Sequence, residues 1–248
     1  MLKDRVAIIT GSSQGIGAGI ARYFTKLGAS VVVNYPFDSE ADKANEVVKE
    51  IIANGGKAIA LKANVASEEE VKQMVEDTVK EFGKLDILVN NAGITRDSSV
   101  KKMSVENFKM VIDTNLVGSF ITSKVAAEVM AAQGYGRIIN TSSIAGQEGN
   151  FGQANYAASK AGVLGLTKTL AREYARKGVT VNAVSPGFIR TPMTDAIPED
   201  IRTNMINEIP VKRVGEPEDI AAAAAFLGSE QAGFITGQLL PINGGLNM

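Results

Sequence analysis

The 248-residue chain contains no cysteine and no histidine. Without cysteine there are no disulfides, thiol nucleophiles or thiolate metal sites. Without histidine there is no Ser-His-Asp triad, and the commonest metal ligand is missing. Acid–base chemistry must therefore fall to tyrosine, lysine, aspartate or glutamate, and no metal site is expected. An excess of one charge is lacking too. The 26 Lys and Arg stand against 27 Asp and Glu, with no single-sign block, so no field for nucleic acid is expected. No apolar run reaches the roughly 18 residues that a membrane span needs. The N-terminus runs into a strand-like segment without a signal-peptide pattern. These absences predict a soluble cytoplasmic protein. Its length suits one large α/β domain, expected to span residues 1–248.

What is present is a regular alternation. Arg5 to Thr10 is a short β-branched apolar run bounded by Gly11, the pattern of a strand buried on both faces. Gly11-Ser12-Ser13-Gln14-Gly15-Ile16-Gly17 follows, then helical periodicity through Ala18, Ile20, Ala21, Phe24 and Leu27. Strand, glycine turn and helix N-terminus together make a phosphate-binding arrangement, although the spacing is not the usual Gly-x-Gly-x-x-Gly. An ordinary tight turn also fits the glycines. Their place after the first strand favours the ligand site.

Ser30 to Asn34 reads as the second strand. An acid at its tip would bind a ribose 2′-hydroxyl and disfavour a 2′-phosphate. The tip reads Asn34-Tyr35-Pro36-Phe37-Asp38, with no carboxylate before Asp38 and no arginine. That composition removes the obvious barrier to NADP. Residues 39–53 have a helical pattern, and Lys57 to Leu61 a third strand, followed by Asn64-Val65. Ser67 with Glu68, Glu69 and Glu70 signals a helix start, running to Phe82 with Gly83 as its stop. Leu85 to Val89 is the fourth strand, leading into the small polar turn Asn90-Asn91-Ala92-Gly93.

A long helix is expected over Ser104 to Ala131, with Asn115 inside it. Asparagine is a poor residue for a helix interior. It is either a structural amide or, beside a catalytic lysine, a kink that holds a water. Gly136 to Thr141 is the fifth strand, tipped by Ser142 and Ser143. A helix over 155–176 carries Tyr156 and Lys160 at i, i+4 on one face. Val179 to Ser185 is the sixth strand, ending in Pro186-Gly187. Residues 188–212, with Pro192, Pro198, Pro210, Phe188, Met193 and Met205, read as a lid or short-helix insertion. Glu218 to Leu227 is a last helix and Gln238 to Ile242 a last strand. Short connections and this order predict a Rossmann-type doubly wound sheet, seven mainly parallel strands with helices on both faces.

A free phenol has a pKa of about 10. A nearby ammonium is expected to lower it and make Tyr156 a usable acid or base, with Ser143 holding a substrate oxygen beside it. On this segment alone, Tyr-x-x-x-Lys fits an ordinary surface helix better than an active site. The whole set weighs the other way. Thr10 to Gly17, Asn90 to Gly93, Asn115, Ser143 and Tyr156 with Lys160, all in order, resemble the short-chain dehydrogenase/reductases over essentially the whole chain.

The resemblance implies a site. Tyr156 protonates the substrate oxygen, and Lys160 tunes it and binds the nicotinamide ribose. Ser143 polarises the carbonyl; Ser142 is its competitor, and the family's spacing favours Ser143. Asn115 anchors a relay water. Gly11, Ser13, Gln14 and Ile16 meet cofactor phosphates and ribose. Asn64, Val65 and Asn91 line the adenosine side, and Pro186, Gly187 and Ile189 the nicotinamide side. Within the family, Asn91 to Asp97, Gly152 to Tyr156 and Asn243-Gly-Gly resemble the 3-oxoacyl-[acyl-carrier-protein] reductases. Gly134 to Arg137, Ile209 to Arg213 and Gly245 to Met248 resemble the acetoacetyl-CoA reductases. The implied reaction is NADPH-dependent reduction of a 3-oxoacyl thioester, on acyl carrier protein or on CoA. A broader ketone or sugar-alcohol dehydrogenase, or a cofactor-sensing binding protein, is the alternative. NADP(H) is the implied cofactor, with NAD(H) still open because Gln14 stands where arginine is frequent. Ala131 to Tyr135 lacks the basic residues often found there to dock an acidic carrier; Lys177 remains. A homotetramer is implied, with helices 104–131 and 155–176 at one interface and Leu239, Leu240 and Leu246 at the other.

Overall fold

A computed structural model of the chain describes residues 1–195 and 199–247. The first half alternates β1 (Val6–Ile9), α1 (Gly15–Lys26), β2 (Ser30–Tyr35), α2 (Ala41–Ala53), β3 (Lys57–Lys62), α3 (Glu68–Phe82) and β4 (Ile87–Asn90). Then come α4 (Val105–Ile112), α5 (Gly118–Gln133), β5 (Gly136–Thr141), α6 (Ala145–Glu148), α7 (Ala154–Tyr174) and β6 (Val179–Pro186). The chain closes with α8 (Pro192–Asp195), α9 (Glu199–Glu208), α10 (Pro217–Leu227) and β7 (Leu239–Ile242). Among the described residues no helix is long and apolar enough to cross a membrane.

The strands form one seven-stranded sheet in the order β3-β2-β1-β4-β5-β6-β7. Every pairing is parallel, where mainly parallel was expected. All carboxyl ends therefore meet at one rim. The chain builds outward from β1 through β2 to β3, then crosses to β4 on the other side. The crevice between the ends of β1 and β4 is thus the switch point where ligands bind in open parallel sheets.

The apolar runs explain the two-sided burial. Ile9, Val33 and Val89 face a core shared with Ile20 and Phe24 of α1, Ile51 of α2 and Ile220 of α10. Their neighbours Ile8, Val32 and Leu88 face the opposite core, with Met74 of α3, Met130 of α5 and Leu170 of α7. Alternate side chains of β1, β2 and β4 fill opposite layers, so these strands have no solvent-facing side.

Local signals hold at both ends of α3. Ser67 Oγ accepts from Glu70 N at 3.3 Å, and Gly83 ends α3 in the left-handed conformation at φ 81°. A side chain there would be strained, whereas glycine is not. The long helix expected over 104–131 is interrupted. A π-turn at Asp113–Val117 separates α4 from α5, with Asn115 buried inside it. β4 starts two residues later than expected. Asp86 instead clasps the strand starts, its Oδ2 accepting from Val6 N at 2.8 Å and its Oδ1 meeting Arg5 at 2.9 Å. The segment expected as a lid contains α8 and α9. Pro198 and Met248 lie outside the described residues, as does the side chain of Met193.

Candidate active site

The glycine loop after β1 is stitched to Asn34 of β2 and to the turn after β4. Gly11 N donates to Asn34 Oδ1 at 3.1 Å, and Asn34 N donates to Ser12 Oγ at 3.0 Å. Asn91 Nδ2 donates to the carbonyls of Thr10 and Gly11, each at 3.0 Å. Thr10 Oγ1 accepts from the backbone of Asn91 and Ala92 at 3.0 Å. The glycines are required at this approach. A Cβ on Gly11, whose φ is +60°, would lie 2.8 Å from Ala92 Cα, and one on Gly17 would lie 2.6 Å from Asn91 Nδ2.

Helix α1 starts at this loop without a side-chain cap and with no acid in its first turn. Its leading N–H groups are left for an anion, as a phosphate requires. At Gly15, φ +58°, the nearest atom to an added Cβ is Thr191 Cγ2 at 3.7 Å, so the segment entering α8 overhangs an open loop. Gly11, Ser13, Gln14 and Ile16 thus lie together at this uncapped helix start.

The other expected cofactor positions lie at the same rim. Asn64 and Val65 follow β3, and Val65 packs against the start of α5: a Cβ on Gly118 would be 2.7 Å from Val65 Cγ2. Pro186 ends β6, and Gly187 N donates to Ile242 O at 2.9 Å. Ile189 buries its side chain in the core, and its carbonyl accepts from Thr194 Oγ1 at 2.9 Å. Asn34, at the strand tip where a ribose reader would sit, is turned inward. It is buried, and its Nδ2 donates to Ala63 O at 3.0 Å and Leu61 O at 3.3 Å. Both ends of the amide are used inside the fold. Asp38, the nearest acid in sequence, pairs with Lys62 at 2.9 Å instead. Glu40 is the acid that reaches the loop, accepting from Ser13 Oγ at 3.2 Å. The sequence reading missed Glu40 and Lys43.

The candidate catalytic groups converge beyond β4 and β5. Lys160 is 4% exposed, and its Nζ donates to Thr141 O at 2.7 Å. An ammonium has three donors, so others remain for a ligand. Nζ also lies 5.6 Å from the Tyr156 ring centroid. A Cβ on Gly93 would be 3.3 Å from Asn115 Oδ1 and 3.6 Å from Lys160 Nζ, so these two groups flank the same turn. The two serines separate clearly. Ser142 is buried and donates to Lys160 O at 3.0 Å, whereas Ser143 is half-buried, its Oγ accepts from Ala145 N at 3.3 Å, and it lies close enough to Tyr156 to pull the phenol's pKa down.

Electrostatics differ from the sequence expectation. Burial pushes the Lys160 ammonium down from 10.5 to about 8. The Tyr156 phenol is raised, not lowered. Burial is the main cause, Ser143 pulls it down, and Asp97 adds to the rise. Helical spacing predicts proximity but not desolvation, and here the amine is turned toward Thr141. Tyr156 therefore holds its proton at neutral pH.

Asn115 fastens the π-turn to both neighbours. Its Oδ1 accepts from Ile94 N at 2.8 Å, and its Nδ2 donates to Ile94 O at 3.0 Å and Ser159 Oγ at 3.1 Å. Ser159 Oγ in turn donates to Tyr156 O at 2.7 Å. Asn155 Nδ2 donates to Arg96 O at 3.0 Å, and Gln153 Nε2 to Asp97 Oδ2 at 2.8 Å. These supports went unread in the sequence; the polar residues around Tyr156 were the available signal. Deeper still, a polar ladder crosses the sheet. Thr122 Oγ1 donates to Asn90 Oδ1 at 2.6 Å, and Asn90 Nδ2 to Ser123 Oγ and to Asn140 Oδ1 at 2.8 Å. Asn140 Nδ2 then donates to Thr167 Oγ1 at 2.9 Å.

Comparison with known proteins agrees with this geometry. A family model described as Enoyl-(Acyl carrier protein) reductase matches residues 11–247. The 3-oxoacyl-[acyl-carrier-protein] reductase FabG of Staphylococcus epidermidis is 49% identical over 245 residues, covering 99% of this chain and 100% of its own. The 3-oxoacyl-[acyl-carrier-protein] reductase of Synechocystis is 49% identical over 248 residues, 100% of this chain and 98% of its own. FabG of Vibrio cholerae is 44% identical over 247 residues, 100% of this chain and 99% of its own. The chain belongs to the short-chain dehydrogenase/reductase family.

Proposed function

We propose that this chain is a cytoplasmic, NADPH-dependent reductase of 3-oxoacyl thioesters on acyl carrier protein, yielding the 3-hydroxyacyl thioester. The observation that carries this reading is the nearness of Tyr156 to Lys160 Nζ, 5.6 Å from the ring centroid, and to Ser143, on a sheet rim that also bears the uncapped start of α1. The names of the full-length relatives support the substrate class. The nicotinamide, when bound, supplies a hydride to the carbonyl carbon. Ser143 donates a hydrogen bond to the substrate oxygen and orients it toward the phenol. Tyr156 gives that oxygen its proton, and its raised pKa keeps the acid loaded at neutral pH. Lys160 would hold the nicotinamide ribose through its remaining donors.

Asn115 O accepts from Ser119 Oγ at 2.7 Å. That carbonyl is the group that would hold a water returning a proton through Lys160. The segment from Phe188 to Lys212 serves as the lid of a single domain, overhanging the loop at Thr191. Val105, Phe108, Met110 and Phe120 remain exposed on α4 and α5, a face suited to tetramer assembly.

One observation weakens carrier-protein docking at the Tyr135 patch and leaves CoA as the second reading. Arg137 is 6% exposed, and Arg5 is paired with Asp86 and Glu230. The cations around Tyr135 are consumed internally rather than offered to an acidic protein. The test is NADPH oxidation with acetoacetyl-carrier protein and acetoacetyl-CoA at equal concentration, for the unaltered chain and Tyr156→Phe. The variant is expected to lose turnover by about 100-fold or more. Equal rates in the two chains would remove Tyr156 as the acid, and a faster CoA reaction would select the second reading.

A further inference from the structure

The 2′ position of a dinucleotide's adenosine ribose lies beside the glycine loop, at the end of the second strand. The usual readers at that strand end are absent. Asn34 is spent on the backbone of the loop and of β3, and Asp38 is held by Lys62. Gln14 in the loop carries no charge. Glu40, closing the short turn Asp38–Glu40, and Lys43, in the first turn of α2, fill the gap. Lys43 Nζ lies 3.5 Å from Gln14 Oε1 and 3.2 Å from Glu40 Oε1. Glu40 Oε2 in turn accepts from Ser13 Oγ. The ammonium is thus suspended over the loop next to its one uncharged long side chain, with a carboxylate as its tether.

We propose that Lys43 is the residue that recognises the 2′-phosphate of NADPH, and that Glu40 sets how strongly it does so. This rests on the nicotinamide-cofactor part of the functional reading and is independent of the substrate. A ribose phosphate carries close to two negative charges at neutral pH. Lys43 gains a stronger partner than the single charge of Glu40 when that phosphate arrives, and Ser13 Oγ is released to donate to it. NADH offers only a hydroxyl, which Glu40 accepts without displacing Lys43. Glu40 also repels the phosphate, so the pair gives a moderate preference rather than an absolute one. Both side chains are partly exposed, half for Lys43 and a quarter for Glu40, so the preference is screened by salt.

The test is equilibrium binding of NADPH and of NADH, by calorimetry or nucleotide fluorescence, without substrate. Lys43→Ala is expected to weaken NADPH at least tenfold and NADH less than twofold, with Lys43→Arg restoring most of the loss. Glu40→Gln, which keeps an acceptor for Ser13, is expected to tighten NADPH at least threefold and leave NADH unchanged or weaker. High salt is expected to narrow the gap between the two cofactors in the unaltered chain. An equal change for both cofactors in Lys43→Ala, or no tightening in Glu40→Gln, would overturn the assignment. If the unaltered chain bound neither nucleotide, the functional reading itself would fall.

Discussion

Lys160 offers a measurement that separates burial from charge pairing. Its ammonium is enclosed, with a pKa lowered from 10.5 to about 8 by desolvation. In the unfolded chain the group returns to its ordinary value. Between those two values the unfolded state holds a proton that the folded state has released. Stability must therefore rise with pH across that window, by about 1.4 kcal/mol per unit and about 3 kcal/mol in total. Lys160→Met keeps the length of the side chain and removes the titration. At pH 7 the variant escapes the desolvation penalty but leaves Thr141 O without its 2.7 Å donor, worth about 1–3 kcal/mol in the other direction. The two chains are thus expected to lie within about 2 kcal/mol of each other at pH 7. On going to pH 10 the unaltered chain should gain about 2–3 kcal/mol relative to the variant. Urea unfolding at matched protein concentration reads this directly, because shared titrations cancel in the difference. A stability difference that stays constant from pH 7 to pH 10 would refute the desolvated ammonium. Turnover should be lost in the variant at every pH.

Two further outcomes follow from the same geometry. Ser143→Ala should lower turnover about 100-fold with little change in the unfolding midpoint; Ser142→Ala, which loses the bond to Lys160 O, should cost about 1 kcal/mol of stability and far less activity. Steady-state rates beside urea midpoints distinguish them, and the reverse ranking would exchange the two serines. Asn115→Leu strips Ile94 and Ser159 of their partners and should cost about 3 kcal/mol, visible as a lowered midpoint. An unchanged midpoint would mean that the π-turn stands without its amide.

Much of the scaffold was legible because it depends on local chemistry. The β-branched runs at Val31 to Val33 and Ile138 to Ile139 specify buried strands, and Ser67 and Gly83 mark the ends of α3 through their own hydrogen-bonding and φ preferences. The motif residues reached one rim because parallel strands share a direction. What was illegible depends on direction and burial. Asn34 sits at the expected strand tip, but nothing local says that its amide turns inward to the loop and β3. Tyr156 and Lys160 have the expected spacing, yet the sign of the phenol shift is set by desolvation, a property of the packed surroundings. Glu40 and Lys43 look like ordinary solvated helix charges until the fold brings the loop beneath them.

The ladder from Thr122 through Asn90 and Asn140 to Thr167 has an evolutionary consequence. Each rung donates to, or accepts from, the next, so replacing one member strands another in a dry interior. Replacing all of them together with apolar groups of similar shape would strand none. Drift at these positions should therefore occur in concert or not at all, and a homologue that has lost one asparagine should have lost its counterpart as well.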